Sequence, residues 1–173
     1  MAELKNPVSE KDHIEGSSSA PITLVEYGDY ECPFCATAHP IVKKLQAHFK
    51  ENLRFVFRNF PLREIHSHAE GAAEAAEFAG AQGKFWPMHD SIYENQADLS
   101  LESLQEQGAQ LDLNPRDIEV AILSQQFEEK IQGDFMGGVR SGVNGTPSFY
   151  INGKKFEGRT TFAELKTAIE KLL

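Results

Sequence analysis

The Cys32-Pro33-Phe34-Cys35 segment constrains this chain more than any other feature, because it stands at the junction of an apolar run and a helical one. Upstream, Ile22-Thr23-Leu24-Val25-Glu26-Tyr27 is short, mostly apolar and preceded by the loop-like Gly16-Ser17-Ser18-Ser19-Ala20-Pro21. That pattern predicts a central strand covered on both faces. Downstream, Pro33 suits the first helical position, where a missing N–H costs nothing. Ile41, Val42, Leu45 and Phe49 then recur on one face, predicting a helix to about Lys50. Pro40 is expected to kink it, since it cannot donate to the Ala36 carbonyl. Alternation from Leu53 to Phe57 predicts a second strand, so the chain opens β-α-β.

Residues 61–143 read as helical. Ala69, Ala72, Ala73, Ala76 and Ala79 form a small-residue stripe, with Glu70, Glu74 and Glu77 expected on the wetter side. Phe85, His89 and Ile92 suggest a short helix after Gly83, and Asn114-Pro115 with Asp117 marks another helix start. Ile131, Phe135 and Val139 are expected to make a core stripe before Gly142. The chain then returns to strand at Ser148–Asn152, turns at Asn152-Gly153 into Lys154-Lys155-Phe156, and ends in a helix. Thr161 and Glu164 predict a capping box there, with Phe162, Leu165, Ile169 and Leu172 lining one face. The order is β-α-β, a block of helices, then β-β-α.

The chemistry follows from where the cysteines fall. A thiolate at a helix N-terminus meets unpaired N–H groups and the positive end of the dipole, both of which stabilise its charge. Cys32 is therefore expected to be an exposed thiol of low pKa, and Cys35, one turn further in, a more buried and less ionised one. That division suits disulfide exchange, in which a thiolate attacks and a neighbouring thiol resolves the mixed intermediate. Glu26 is a carboxylate within an apolar strand, where burial raises its pKa. It is expected to take the Cys35 proton through water; the alternative is that it faces a polar pocket or sits near the strand end. Pro147 in Gly145-Thr146-Pro147 is a candidate cis peptide beside the cysteines, and an ordinary trans turn is the alternative. Pro33, Phe34, Thr146 and Pro147 are the expected substrate contacts.

Two cysteines, three positions apart, leave none for a structural disulfide elsewhere. Half of a zinc site, with His39 as third ligand and His66, His68 or His89 completing it, is the competing use of the pair. A structural zinc wants four ligands and the chain has no second C-x-x-C, so no metal and no bound cofactor is expected. His39 is then a surface residue of the helix or one behind the cysteines. A net charge of −9 argues against nucleic acid as a partner. No apolar run reaches the roughly 20 residues of a membrane helix. Met1 to about Ser19 is polar and lacks a leader pattern. A cytoplasmic location is expected, the alternative being a mature periplasmic form.

Four segments together resemble the DsbA-like thioredoxin family of bacteria: Val25-Glu26-Tyr27-Gly28-Asp29-Tyr30-Glu31-Cys32-Pro33-Phe34-Cys35, Arg58-Asn59-Phe60-Pro61-Leu62, Gly83-Lys84-Phe85-Trp86, and Gly142-Val143-Asn144-Gly145-Thr146-Pro147-Ser148-Phe149. The resemblance implies an α/β, thioredoxin-like fold with a helical domain inserted between the β-α-β and β-β-α halves. Residues 1–20 would be an arm, 21–60 and 144–173 the thioredoxin-like domain, and 61–143 the insertion. It implies a nucleophile at Cys32, a resolving thiol at Cys35, a buried acid at Glu26 and a cis-proline at Pro147 preceded by Thr146. The implied partners are protein thiols or disulfides and a redox partner; oligomeric state is left open.

The chain departs from the family's strong oxidases in having Phe34 where they carry histidine. Phe34 cannot hold a thiolate, and Asp29 and Glu31, if close, would raise the Cys32 pKa. A milder couple is expected. A metal-binding or adaptor module, or a glutathione-dependent transferase or isomerase, are the competing functions on such a fold.

Overall fold

A computed structural model describes all of residues 1–173. In chain order the elements are β1 (His13–Glu15), β2 (Ile22–Gly28), α1 (Pro33–Phe49), β3 (Leu53–Asn59), α2 (Ala69–Ala81), α3 (Phe85–Glu94), α4 (Leu101–Ala109), α5 (Pro115–Ser124), α6 (Glu128–Arg140), β4 (Ser148–Ile151), β5 (Lys154–Lys155) and α7 (Phe162–Glu170). The strands form one mixed sheet in the order β1-β3-β2-β4-β5. β2 lies at its centre, parallel to β3 with Glu26 opposite Phe57, and antiparallel to β4 with Glu26 opposite Phe149. This central place explains the apolar run: Ile22, Leu24, Val25 and Tyr27 are all buried, one face toward the α1 core and the other toward Val56, Phe60 and Tyr150.

α1 buries Cys35, Ala38, Val42, Leu45 and Phe49, close to the expected stripe, while Ile41 is only partly covered. The helix runs on through Pro40 without a break. Asn152 and Gly153 both take the left-handed conformation that a tight two-residue hairpin requires, with φ of 47° and 85°. Gly28, at the end of β2, has no room for a side chain: an added Cβ would lie 2.5 Å from the Phe57 ring.

Several expectations need correction. The first twenty residues are not merely a polar arm, because β1 pairs antiparallel with β3 and Glu3 bridges to Lys154. Side chains invisible to a hydropathy pattern hold this segment down. Buried Arg58 donates to the Asp12 carboxylate at 2.8 and 2.9 Å, to the Tyr27 hydroxyl and to the Asn6 carbonyl. His13 stacks on Phe85, with ring centroids 3.6 Å apart, and bonds Glu77 at 2.9 Å.

Glu74 and Glu77 are consequently buried rather than on a wet face. Burial alone would raise the Glu77 pKa, but the bonds from His13 and Asn59 outweigh it and hold the group below its usual range. Glu74 accepts the Phe127 N–H at 2.8 Å, and burial still pushes its pKa to about 7. On α6, Ile131 is buried, but Val139 faces solvent at 46% exposure because the helix presents Gly137 and Gly138 to the sheet instead. At α7, Thr161 caps through the Glu164 N–H, whereas the Glu164 carboxylate turns to Arg159, so the box is half made. Leu172 lies beyond the helix and is exposed.

Candidate active site

β2 ends at Gly28, and a short turn delivers the chain to α1. In this turn the Cys32 N–H donates to the Asp29 carbonyl at 3.1 Å, and the Cys32 carbonyl accepts the first N–H bonds of the helix, from Cys35 and Ala36, each at 3.1 Å. Cys32 is the N-cap, with extended φ and ψ of −70° and 122°, and Pro33 follows at the first helical position. Both cysteines are free thiols. Cys35 is fully buried, its sulfur accepting the Asp29 N–H at 3.5 Å.

Next to β2, the loop entering β4 brings the Thr146-Pro147 peptide, which is cis, against Cys32. The Cys32 Sγ lies 3.6 Å from the Thr146 carbonyl oxygen. A groove of about 300 Å³ runs along Asn144–Phe149 and past Phe156 and Gly158. A larger cavity, about 570 Å³, lies elsewhere, around Asn6, Asp12, Arg58, Lys130 and Asp134, and neither cysteine lines it.

The two sulfurs differ sharply in electrostatics. Hydrogen bonding from Cys35 is the largest influence on Cys32; with the Thr146 side chain and the N–H groups of Cys35 and Phe34 it outweighs burial and lowers the Cys32 pKa to about 5. The Thr146 hydroxyl has no hydrogen-bond partner while that sulfur is a thiol. Burial, the bond to Cys32 and the neighbouring Glu26 drive Cys35 far above the ordinary thiol range. Glu26 is 2% exposed with Oε1 unpartnered; burial first, and then charge on Cys32, push its pKa up to about 8.

Three sequence expectations fail here. Cys32 was expected to stand exposed, yet it is only 4% accessible, because the Thr146-Pro147 loop lies across it. The residue that projects is Phe34, at 73% exposure, beside an equally outward Pro33. Asp29 and Glu31 were expected to raise the Cys32 pKa if close, but both are engaged elsewhere. Asp29 is buried and accepts from the N–H groups of Glu31 and Leu62 and from His66 Nδ1, each at 2.8 Å. Glu31 accepts the His68 N–H at 2.6 Å. Thirdly, of the two places expected for His39 the surface is excluded: it is buried one turn after Cys35 on α1 and packs on Tyr93, with ring centroids 5.2 Å apart, and on His89 at 5.7 Å. His66 belongs to Asp29 and His89 bonds the Tyr30 hydroxyl at 2.8 Å, so no histidine set gathers around Cys32 and Cys35.

A thioredoxin family model matches residues 8–171. The chain belongs to the thioredoxin family. Within that family its fold is DsbA-like, superposable on that of BdbD from Bacillus subtilis with a TM-score of 0.89, at 25% identity over 99% of this chain and 97% of that one. The fold is also shared with α-DsbA1 of Wolbachia pipientis, at a TM-score of 0.80 and 22% identity over 98% and 94% of the two chains. Among curated proteins, a Na(+)/H(+) antiporter NhaA 1 of Salinispora arenicola is 39% identical over 98% of this chain. A Na(+)/H(+) antiporter NhaA of Herminiimonas arsenicoxydans is 38% identical over 95% of it. The chain spans about a quarter of the length of these relatives, 26% and 27%. No helix of this thioredoxin-family chain is long and apolar enough to cross a membrane.

Two site residues escaped the sequence reading. Gln96, in the loop after α3, donates from Nε2 to the carbonyls of Tyr30 and Cys32 at 2.9 and 2.8 Å, clamping the turn that carries the sulfur. Asp29 ties the same turn to the 62–66 loop. Gln96 has no signature in the sequence, since it reaches the cysteines only through folding; Asp29, three residues before Cys32, stands within the motif, where a sequence displays its charge and not its hydrogen bonds.

Proposed function

We propose that this chain exchanges disulfides in protein substrates, with Cys32 as nucleophile, Cys35 as resolving thiol and Glu26 as the group that takes the Cys35 proton. The observation that carries this reading is the pairing of a low-pKa thiol, Cys32 at about 5, with a buried, un-ionised neighbour at Cys35. At neutral pH the Cys32 thiolate attacks one sulfur of a substrate disulfide, forming a mixed disulfide and releasing the other substrate sulfur as thiolate. Loss of the Cys32 charge in that intermediate removes one of the causes that raise the Glu26 pKa. The carboxylate then accepts the Cys35 proton through water, and the Cys35 thiolate attacks Cys32. The products are the reduced substrate and a Cys32–Cys35 disulfide; the reverse sequence oxidises a substrate dithiol.

Thr146 and Pro147 present backbone and groove to an extended substrate, and Pro33 and Phe34 supply the apolar contact on the opposite side. The helices of 61–143 act as the inserted unit of the domain division, contributing Gln96 and His66 to the walls of the site. A Cys32 pKa near 5 lies between those of a thioredoxin, roughly 7, and of the strongest oxidases, roughly 3.5. A lower thiolate pKa stabilises the reduced form, so this chain forms a less oxidising couple than the strong oxidases. That suits a reductase or isomerase role in a reducing compartment such as the cytoplasm. Antiport is a property in the names of longer relatives and is not transferred.

The test is alkylation and trapping. Iodoacetamide should modify Cys32 with a pH midpoint near 5, and the Cys35→Ala chain should accumulate a mixed disulfide with a disulfide-bonded protein substrate. A midpoint near that of a free thiol, together with no trapped adduct, would sink the proposal.

A further inference from the structure

α1 and α3 pack side by side, and where they meet three ligating groups converge that the exchange chemistry does not use. His39 comes from α1, and His89 and Asp90 from α3. One donor atom of each lies within 4.8 Å of the others, and His39 Nε2 is 3.7 Å from Asp90 Oδ1. We infer that His39, His89 and Asp90 form a binding site for a divalent transition-metal ion of zinc type, separate from the cysteines.

Three features of the site support this. The His39 side chain is only 9% exposed and makes no hydrogen bond, so its ring nitrogens are committed to no other partner. Asp90 Oδ1 is buried and already holds a cation, the Lys43 ammonium, at 2.9 Å. His89 Nδ1 is engaged by the Tyr30 hydroxyl at 2.8 Å, which fixes the ring and leaves Nε2 for an ion, as the outer hydrogen bond of a metal-bound histidine does. Two imidazoles and one carboxylate suit zinc, with an open position for water; calcium or magnesium would demand more oxygen donors.

Lys43 is the competitor. Its Nζ stands 2.9 Å from Asp90 Oδ1 and 3.6 Å from Glu15 Oε1, so the ammonium occupies part of the space an ion needs. Its side chain is 37% exposed, and turning toward Glu15 or solvent frees Asp90. Zinc ligands at roughly 2.0–2.2 Å from the ion sit closer together than the donors do now, so ion binding requires His39 and Asp90 to turn toward His89.

The experiment uses the full chain with the cysteines oxidised to their disulfide by oxidised glutathione, so that thiolates cannot bind metal. Calorimetric titration with Zn²⁺ should saturate at one ion per chain, and Co²⁺ should give the visible absorption of a nitrogen–oxygen site without thiolate charge-transfer bands. His39→Ala and Asp90→Asn should each weaken zinc binding by more than tenfold. Tyr30→Phe, which removes only the outer hydrogen bond, should weaken it by about 10-fold to 100-fold. Lys43→Gln should tighten it. Asp90→Asn preserves side-chain shape and guards against a folding artefact at His39. Absence of zinc binding by the oxidised chain, or binding that His39→Ala and Asp90→Asn both leave unchanged, overturns the site.

Discussion

The mouth and the floor of the active site lie three residues apart in sequence, and they treat the same functional group in opposite ways. At the mouth, Cys32 has the helix N–H groups and the Cys35 thiol directed at it, and its pKa falls to about 5. At the floor, Cys35 and Glu26 meet a wall of Tyr30, Phe57 and Tyr93 with no charged partner, and both are pushed up, Glu26 to about 8. One turn of helix separates oriented dipoles from a buried interior of low polarity. The difference shows that reactivity here comes from the position of each sulfur along the helix axis, more than from nearby charged side chains, which pair among themselves.

The comparison breaks most visibly at the sulfurs. Cys32→Ser should abolish reduction of a disulfide-bonded protein to the uncatalysed rate, whereas Cys35→Ala should still react once and stall. Equal loss in both variants, with no adduct on the second, would mean that mouth and floor are not distinct.

The next largest effect is expected in stability. Glu26 has a folded-state pKa of about 8 against an ordinary 4.5, so the folded protein holds a proton that the unfolded chain has lost between those values. Stability therefore falls as pH rises from about 4.5 to 8, by a few kcal/mol at most. Glu26→Gln should lack this fall, and its advantage in urea denaturation should be greater at pH 8 than at pH 5. An advantage independent of pH would show that the floor is wet.

At the mouth, Phe34→His adds a donor where none exists. It should lower the Cys32 pKa by about one unit, equivalent to about 1.4 kcal/mol, and raise the potential by about 30 mV in equilibrium with glutathione. The smallest change is expected for Gln96→Ala, which leaves the Tyr30 and Cys32 carbonyls without their side-chain donor and should cost about 1–2 kcal/mol in thermal or urea unfolding, with the Cys32 pKa little altered.

Much of this arrangement was legible in the chain itself, because local rules govern it. The β2–α1 junction is written in an apolar run, a cysteine and Pro33; the hairpin in Asn152-Gly153; the cis peptide in Thr146-Pro147. What escaped depends on partners remote in sequence. Glu74 and Glu77 look solvated until Phe127, His13 and Asn59 arrive to satisfy them. β1 is too short for a periodic signal, and it docks through Arg58, Asp12 and His13. The burial of Cys32 follows from a loop 114 residues further on, and no spacing rule along α1 reveals it.

The sheet carries one more consequence in its outline. Its two border strands are its shortest, three residues in β1 and two in β5. Long unpaired borders invite other chains to add on and propagate into aggregates. For the proposed capture of extended polypeptide at Thr146, borders this short leave almost no other place where a loose strand can be zipped on.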